Sequence, residues 1–283
     1  MSAPALTLRC AEKTLDLGRP VVMGVLNVTP DSFSDGGRFL SPEAAVAQGR
    51  RMAAEGAALI DVGGESTRPG ADAVTEAEEL RRVIPVIERL RAATGAVISI
   101  DTSKPGVIRA AAAAGAGLVN DVRALREPGA LEAAVASGCA VCLMHMQGEP
   151  RTMQLAPHYH DVVREVRAFL AARAAACRGA GLEAERLVVD PGFGFGKTLE
   201  HNLTLLRRLQ ELADDGLPVL VGLSRKTMLG TLTQRPPGER LAGSVALAVI
   251  AALNGARIIR AHDVAPTVDA LKVVGVVQSA EPR

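Results

Sequence analysis

Short apolar runs rich in Val, Ile and Leu alternate along the chain with longer Ala-rich stretches. Each run is largely apolar, which is typical of a strand in a parallel sheet that is buried on both faces. The pattern predicts strands over Val21–Val28, Ala58–Val62, Val97–Ile100, Gly117–Val122, Ala140–Met144, Leu187–Val189, Pro218–Gly222 and Arg257–Ile259. It predicts helices over Pro42–Glu55, Thr75–Ala93, Pro105–Ala114, Pro128–Ser137, Asp161–Gly179, Leu199–Asp214, Gly238–Leu253 and Val264–Val274.

Eight strand–helix repeats in strict alternation favour a closed barrel. An open doubly wound sheet usually has about five to seven strands, whereas the parallel barrel has eight. A length of 283 residues suits one barrel or two small domains, but no composition shift or linker divides the chain. We therefore predict an α/β protein with a single (β/α)8 TIM-barrel domain over 1–283, its core lying at about 20–277. Residues Leu6–Leu17 are predicted to form a short hairpin over the bottom of the barrel.

Composition excludes several classes of partner. The 32 Lys and Arg residues balance 31 Asp and Glu residues, so charge does not indicate a nucleic acid or a membrane surface as partner. The longest uncharged apolar stretch, Leu241–Ala256, is shorter than the ~20 residues that span a bilayer, and we expect no signal peptide. The four cysteines do not indicate a disulfide framework, so we expect a cytoplasmic protein. Cys139 and Cys142 lie three apart on a predicted strand and should point to opposite faces as core residues.

Every predicted strand runs into a polar or ionisable residue. In a parallel barrel, the C-terminal ends of the strands surround the active site. These residues are Asn27, Glu65, Asp101, Asn120, Asp121, His145, Asp190, Lys226, Arg260 and His262. Any one of them could be a cap or a turn residue, but one at each of eight strand ends indicates a site. The long segments Asn27–Gly37 and Gly63–Gly70 are predicted to act as lids that close over it.

Two groups of these side chains suit a metal ion and an anion. The Asn27 carbonyl oxygen suits Mg²⁺, which combines a few protein oxygens with phosphate and water. Arg68, Arg260 and His262 offer charged donors to an anion such as a diphosphate.

A third group suits a flat, nitrogen-rich ring. Asp101, Asn120 and Asp190 offer carboxylate and amide oxygens to the donor edges of such a ring. His145 has no evident part in these contacts, and we predict that it packs in the structure.

Two further segments look like known sites but do not fit them. Gly192–Thr198 follows a strand and precedes a helix, as a phosphate-binding loop does, but Pro191 stands where that motif needs a glycine. His158 and His160 resemble a metal-binding pair, but no carboxylate accompanies them at ligand spacing, so we interpret them as part of a solvated loop.

Eight motifs together point to a known family. The two longest are Gly24–Gly37 (GVLNVTPDSFSDGG) and Asp61–Gly70 (DVGGESTRPG). The others are Ser99–Thr102, Val119–Asp121, Met144–Met146, Asp190–Lys197, Gly222–Lys226 and Arg260–Asp263. In order and separation they resemble the motifs of dihydropteroate synthases over about residues 20 to 265. The resemblance implies that 6-hydroxymethyl-7,8-dihydropterin diphosphate is condensed with 4-aminobenzoate, giving 7,8-dihydropteroate and diphosphate in folate synthesis.

The resemblance also implies roles for particular residues. Mg²⁺ would be the cofactor, with Asn27 as its ligand. The pterin diphosphate would contact Thr67, Arg68, Asp101, Asn120, Asp190, Phe195, Lys226, Arg260 and His262. The 4-aminobenzoate, with which sulfonamides compete, would contact Phe33, Thr67, Pro69, Lys226 and Thr227. The implied catalytic residues are Asp101, Lys226, Arg260 and His262.

The resemblance leaves one departure from the family pattern and two alternative functions. Thr227 stands where the family often has Ser, and its extra methyl group should crowd the 4-aminobenzoate pocket and affect sulfonamide binding. A pterin-binding methyltransferase on the same barrel would share the ring-binding residues but lack Asn27 and the pair Arg260 and His262. The second alternative is a catalytically silent barrel that binds a partner.

The late helices bear on the oligomeric state. Gly243–Ala256 is apolar nearly all round, which is more than a surface helix of a barrel needs. The resemblance implies a homodimer through these helices, whereas tight packing on the barrel is the alternative.

Overall fold

Eight parallel strands and a separate antiparallel hairpin make up the sheets of the described residues. The computed structural model describes residues 6–29, 41–66, 73–149 and 152–279. The hairpin strands are β1 (Thr7–Cys10) and β2 (Lys13–Asp16). The barrel strands are β3 (Val21–Asn27), β4 (Leu59–Gly63), β5 (Val97–Asp101), β6 (Leu118–Asp121), β7 (Ala140–Met144), β8 (Leu187–Asp190), β9 (Leu220–Gly222) and β10 (Ile258–Ala261).

The eight strands close into a ring. Strands β3 to β8 lie side by side in chain order, and β10 lies between β3 and β9. The ring closes where Val189 on β8 pairs with Val219 just before β9, and the Val189 N–H donates to the Pro218 carbonyl at 3.0 Å. The predicted (β/α)8 barrel and its N-terminal hairpin are therefore confirmed.

The helices follow the prediction with three differences. They are α1 (Pro42–Ala54), α2 (Glu76–Ala93), α3 (Pro105–Ala114), α4 (Ala130–Ser137), α5 (Val162–Gly179), α6 (Leu199–Arg207), α7 (Gln210–Ala213), α8 (Thr227–Thr233), α9 (Leu241–Leu253) and α10 (Val264–Ser279). The sixth predicted helix is divided into α6 and α7, and α8 was not predicted. Helix α9 begins at Leu241 rather than at the predicted Gly238, because Pro237–Glu239 forms a separate 3₁₀ turn. Within the described ranges, none of the helices combines the length and the apolar character that crossing a bilayer requires.

Side chains on the barrel strands alternate between the outside and the inside of the ring, since successive residues of a strand point to opposite faces. Outward residues such as Ile60, Val119 and Val221 belong to the large core between strands and helices. Inward residues near the N-terminal ends of the strands form a second, separate core. Cys139 belongs to the outer core and Cys142 to the inner one, which confirms both as core residues on opposite faces.

The hairpin covers the N-terminal end of the barrel. Leu8 and Leu17 are fully buried there against the inner core. The inner core contains Met23, Leu59, Val97, Leu118, Ala140, Val188, Leu220 and Ile258 from the barrel strands. Lys13 also ties the hairpin to the loop before β5, because its Nζ donates to the carbonyls of Gly95 and Ala96, each at 2.9 Å. The lower half of the barrel is thus apolar and closed.

We predict that Leu8→Ala lowers the free energy of unfolding by about 2–5 kcal/mol, because it leaves a cavity under the inner core. Urea unfolding followed by circular dichroism measures this change. Thr7→Ala, on the exposed face of the same strand, is the control and should cost less than about 1 kcal/mol. Equal effects of the two substitutions would show that the hairpin does not pack against the barrel as described.

Candidate active site

The polar side chains that face into the barrel lie just above its apolar layer. Each of them stands two or four residues after an inner-core residue of the same strand. Because side chains alternate between the two faces of a strand, they point inward as well. They are Asp61 after Leu59, Ser99 and Asp101 after Val97, Asn120 after Leu118, Asp190 after Val188, and Arg260 after Ile258. The apolar lower layer and the polar upper layer therefore share one face of each strand.

Arg260 on β10 joins two buried carboxylates on neighbouring parts of the ring. Its Nε atom donates to Asp61 Oδ2 at 2.6 Å, and its Nη2 atom donates to Asp101 Oδ2 at 3.0 Å. Asp61 is fully buried, and Asp101 is 8% exposed. A buried ion of this kind is stable only when paired and hydrogen-bonded. Charge-assisted bonds from one planar guanidinium thus fix the separation of two strands' carboxylates.

Asp61 is the functional residue that the sequence analysis missed. Besides the bond from Arg260, it accepts a hydrogen bond from Ser99 Oγ at 2.6 Å and one from Asn120 Nδ2 at 3.0 Å. It therefore orients Asn120 and Arg260, two of the predicted ring-binding and anion-binding residues. A carboxylate inside an otherwise apolar, buried strand needs such partners. The position of Asp61 within a predicted buried strand was therefore the signal in the sequence that could have identified it.

The pKa of Asp101 reflects this crowding of charge. Burial raises the pKa of Asp101 to about 7, and the negative charge of Asp61 adds to the rise, while Arg260 opposes it. Its ionised form is therefore costly in this site even with Arg260 beside it, and a further positive charge nearby would lower that cost. The carboxylate is held ready for a cationic ligand or reaction centre.

Asp190, Lys226 and Phe195 form a second group across the barrel mouth. Lys226 Nζ lies 4.2 Å from the centroid of the Phe195 ring. Burial lowers the pKa of Lys226 to about 8, although the charge of Asp190 acts in the opposite direction. Burial likewise raises the pKa of Asp190, which accepts a hydrogen bond from the Gly192 N–H at 2.7 Å. A cation, a carboxylate and an aromatic face thus meet at the ends of β8 and β9.

Asn27 and His262 stand at the edge of the first group. A Cβ atom placed on Gly63 would lie 3.6 Å from Asn27 Oδ1 and 3.6 Å from Asp101 Cβ, so Asn27 and Asp101 flank the same glycine. His262 Nδ1 lies 3.0 Å from Ser224 Oγ, which links the ends of β9 and β10. Across the described ranges, His, Cys, Asp and Glu side chains do not gather in threes that could hold a metal ion.

Some predicted site residues cannot be placed, and others lie apart from the core of the site. Phe33, Thr67, Arg68 and Pro69 lie outside the described residues, as do residues 30–37 of the first predicted lid and 67–70 of the second. Thr227 is described: it is exposed, directly after Lys226, as the first residue of α8.

The structure describes both of the segments that resemble known sites. Lys197 is 3% exposed and donates to the Gly192 and Phe195 carbonyls, so backbone carbonyls of its own loop are its partners. His158 and His160 are both exposed, as expected of a solvated loop.

A cavity of about 430 Å³ opens beside Asp101, between the loops that follow β4, β5 and β6. Charged residues of both signs line it, including Glu76, Lys104 and Arg123. Lys104 forms ion pairs with Glu65 and with the buried Glu79, which anchors the start of the loop after β4. Asp101 is therefore reached from the barrel mouth and from this side cavity.

The chain resembles enzymes of one kind along nearly its whole length. It matches the pterin binding enzyme family over residues 23–262. The dihydropteroate synthase of Escherichia coli (strain K12) is 57% identical over 268 residues, which cover 95% of each chain. The chain belongs to the dihydropteroate synthase family. The family match begins in β3 and ends just after β10, so it includes every barrel strand and the whole inward polar layer. The chain is accordingly a transferase of the dihydropteroate synthase type.

Solved structures of dihydropteroate synthases agree with this membership. A Yersinia pestis dihydropteroate synthase in complex with a sulfonamide drug is 54% identical with a TM-score of 0.94, covering 97% of this chain and 100% of that one. A Xanthomonas albilineans enzyme with 4-aminobenzoic acid is 57% identical with a TM-score of 0.92, covering 98% and 100%. A further structure of the Xanthomonas albilineans enzyme, with 7,8-dihydropteroate, is 54% identical with a TM-score of 0.89, covering 97% and 100%.

We predict that Asp101→Asn stabilises the protein without substrate at pH 8 by about 1–3 kcal/mol and has little effect near pH 4. Because the folded state raises the pKa of Asp101 to about 7, the folded protein binds this proton more tightly than the unfolded chain does. Wild-type stability should therefore fall as pH rises from about 4 to about 7, and Asn cannot ionise. Thermal unfolding over this pH range measures the effect.

The control for this measurement is Asp214→Asn, which removes one charge at an exposed position after α7. It should change the unfolding temperature little and without this dependence on pH. A variant Asp101→Asn that is less stable than wild type at pH 8 would contradict the described balance between Asp61, Asp101 and Arg260.

Proposed function

We propose that this chain, as one pterin-binding barrel domain over 1–283, joins 6-hydroxymethyl-7,8-dihydropterin diphosphate to 4-aminobenzoate. The products would be 7,8-dihydropteroate and diphosphate. The observation that carries the proposal is the inward polar layer around Arg260, in a member of the dihydropteroate synthase family. The bound 4-aminobenzoic acid and 7,8-dihydropteroate of the Xanthomonas albilineans structures support the same substrate and product classes.

The pterin ring would bind in the mouth of the barrel. A reduced pterin carries amine and ring N–H donors along one edge, which carboxylates and an amide oxygen can accept. Asp101, Asn120 and Asp190 supply such acceptors from β5, β6 and β8, all nearly buried. Lys226 would donate to ring acceptors, and Phe195 would cover the ring on the pterin side. Fixed in this way, the ring would present its side-chain methylene toward β3 and β10.

The reaction would proceed by departure of diphosphate ahead of attack by the amine. A positive charge would then develop on the pterin methylene and spread into the ring. Ionisation of Asp101 is costly when the site is empty. The positive charge that develops on the pterin would stabilise the carboxylate, and the carboxylate would in turn lower the energy of the transition state. Arg260 and His262 would stabilise the negative charge of the departing diphosphate, together with Arg68 from outside the described residues.

The residues at the edge of the site fit a magnesium ion. Mg²⁺ usually keeps several waters and binds through one or two protein oxygens together with substrate phosphates. Asn27 offers one such oxygen beside Asp101, and no all-protein cluster competes for the ion in the described ranges. Bound there with the diphosphate, Mg²⁺ would supply Lewis-acid stabilisation of the leaving group.

The second substrate would bind on the side of Lys226 and Thr227. An aryl amine can attack without prior deprotonation, so the site needs mainly to position it and exclude water. After the C–N bond forms, the nitrogen would lose one proton to the departing diphosphate. Phe33, Thr67 and Pro69 are proposed to complete this pocket when the two lids close. The sulfonamide complex of the Yersinia pestis enzyme supports competition at this pocket, where the Thr227 methyl group would crowd the inhibitor.

We predict that the purified protein releases diphosphate only when both the pterin diphosphate and 4-aminobenzoate are present, and only with Mg²⁺. A coupled diphosphate assay, with mass spectrometry of 7,8-dihydropteroate, measures this. Asp101→Asn should reduce kcat by about 10²-fold, in the range found for loss of one electrostatic group in an active site. Asn27→Ala should raise the Mg²⁺ concentration needed for half-maximal rate.

Asp214→Asn is again the control and should leave the rate unchanged. Diphosphate release at full rate without 4-aminobenzoate would contradict the proposed condensation. Methyl transfer from a reduced folate, with no diphosphate released, would favour the methyltransferase alternative. Near wild-type turnover by Asp101→Asn would contradict the role given to that carboxylate.

We also propose a homodimer through α9 and α10. Helix α9 buries one side, including Leu247 and Ala251, yet leaves Ile250 and Leu253 exposed. On α10 a second set of valines is exposed: Val273 by 63%, Val276 by 65% and Val277 by 67%. The two helices pack against each other, so these side chains form one apolar surface, which is typical of a subunit interface.

We predict a dimer mass in light scattering at micromolar concentration, and a monomer for Val276→Glu, because a buried unpaired charge opposes association. Glu88→Gln, on α2, is a surface control that should leave the mass unchanged. A monomeric wild-type protein would contradict the proposed dimer.

The cytoplasmic location stays a proposal. Cys10, Cys139, Cys142 and Cys177 are all buried as free thiols, which agrees with a reducing compartment.

A further inference from the structure

The loop between β8 and α6, residues 191–197, is pressed against the backbone that follows β7. Gly192, Gly194 and Gly196 have φ values of 68°, 80° and 60°, in the left-handed region that favours glycine. A Cβ atom on Gly192 would overlap the His145 carbonyl oxygen, and one on Gly196 would overlap the Gln147 carbonyl oxygen. This glycine-rich loop therefore has its shape because it lies in direct contact with residues 145–147.

A single buried lysine holds the two segments together. Lys197 Nζ donates to the Gly192 carbonyl at 2.9 Å and to the Phe195 carbonyl at 3.0 Å, and it lies 3.0 Å from His145 Nδ1. An ammonium group has three hydrogens, and these are three acceptors. The side chain is 3% exposed, so water does not compete for these bonds.

The protonation state of His145 agrees with this arrangement. Burial lowers the pKa of His145 to about 3, and the charge of Lys197 adds to the lowering. The ring is therefore neutral near pH 7. Burial also lowers the pKa of Lys197 to about 7, although the charge of Asp190 opposes this, and when Lys197 is protonated its ammonium group donates to an unprotonated Nδ1. His145 is further fixed by the Phe169 ring, whose centroid lies 5.0 Å away in an edge-on contact.

Other side chains donate to two further carbonyls of the glycine-rich loop. Tyr159 Oη donates to the Gly196 carbonyl at 2.8 Å, and Gln154 Nε2 donates to the Gly194 carbonyl. Both come from the segment between β7 and α5. The Tyr159 contact is buried and the Gln154 contact is exposed, whereas Lys197 joins the Gly192 and Phe195 carbonyls to each other.

The loop carries groups that face the proposed substrate. Phe195 packs beside Met144, Met146 and Met153 and presents its ring to Lys226 Nζ at 4.2 Å. At the start of the loop, the Gly192 N–H donates to Asp190 at 2.7 Å. Lys197 bonds the carbonyls of Gly192 and Phe195, so it controls the backbone at both of these points.

We propose that Lys197 is a positioning residue: by linking His145 to the Gly192 and Phe195 carbonyls, it holds Phe195 against Lys226 and shapes the pterin side of the site. The inference rests on the proposed function, because it gives this part of the site to the pterin diphosphate. It also gives His145 a role, as the acceptor that fixes the third hydrogen of the ammonium group.

The test compares Lys197→Met with Lys13→Met in the full-length protein. Lys13 is a matched control, since its Nζ also donates to two backbone carbonyls, at the opposite end of the barrel. Lys197→Met should raise the KM for the pterin diphosphate about tenfold or more, because displacing binding groups by about 1 Å can cost two orders of magnitude. The KM for 4-aminobenzoate should change less, and Lys13→Met should change neither KM.

A second measurement uses the wild-type protein and does not depend on whether Lys197→Met folds. Nitrogen-15 NMR of the histidine rings, with His145 assigned by comparison with His145→Gln, should show Nε2 protonated and Nδ1 unprotonated at about pH 6, below the pKa of Lys197. Protonated Nδ1 in His145 would overturn the proposal. An unchanged KM for the pterin diphosphate in Lys197→Met would overturn it as well, provided that wild type makes dihydropteroate. If wild type makes none, the proposed function itself fails, and the NMR result still tests the contact between Lys197 and His145.

Discussion

The contact of Arg260 with Asp61 and Asp101 is the constraint on which the site depends. Two carboxylates cannot stay ionised and close together inside a barrel without a cation between them. Arg260 provides that cation from β10, while Asp61 and Asp101 come from β4 and β5. The contact therefore joins residues of three strands. It also fixes Asp61, which in turn orients Asn120 by accepting its hydrogen bond. Removing Arg260 would leave two buried carboxylates without their shared cation.

The rest of the fold offsets the free-energy cost of burying these charges together. The hairpin and the inner core close the N-terminal end of the barrel with apolar side chains, so polar groups appear only in the upper layer. Because inward residues alternate along a strand, Leu59 and Asp61 share one face, as do Ile258 and Arg260. Stability thus comes mainly from the lower layer and the outer core, whereas the upper layer holds charges that are costly until a ligand arrives. This division is common in parallel barrels.

The sequence was enough to predict the barrel, the hairpin and most of the strand ends, because buried parallel strands leave a simple pattern of apolar runs. It could not show which residues Asp61 contacts, since that requires the register of neighbouring strands. The pairing of Lys197 with His145 was equally hidden, because those residues lie 52 positions apart and meet only when two loops pack together. The division between α6 and α7 and the extra helix α8 depend on how the chain packs on the barrel, which periodicity does not record.

The most direct test of the central claim is a crystal structure of the protein with a reduced pterin bound. We expect the donor edge of the ring within hydrogen-bond distance of Asp101 and Asp190, with Arg260 still bonded to Asp61. A ring bound instead in the side cavity near Glu76 and Arg123, away from Asp190, would contradict the proposed site.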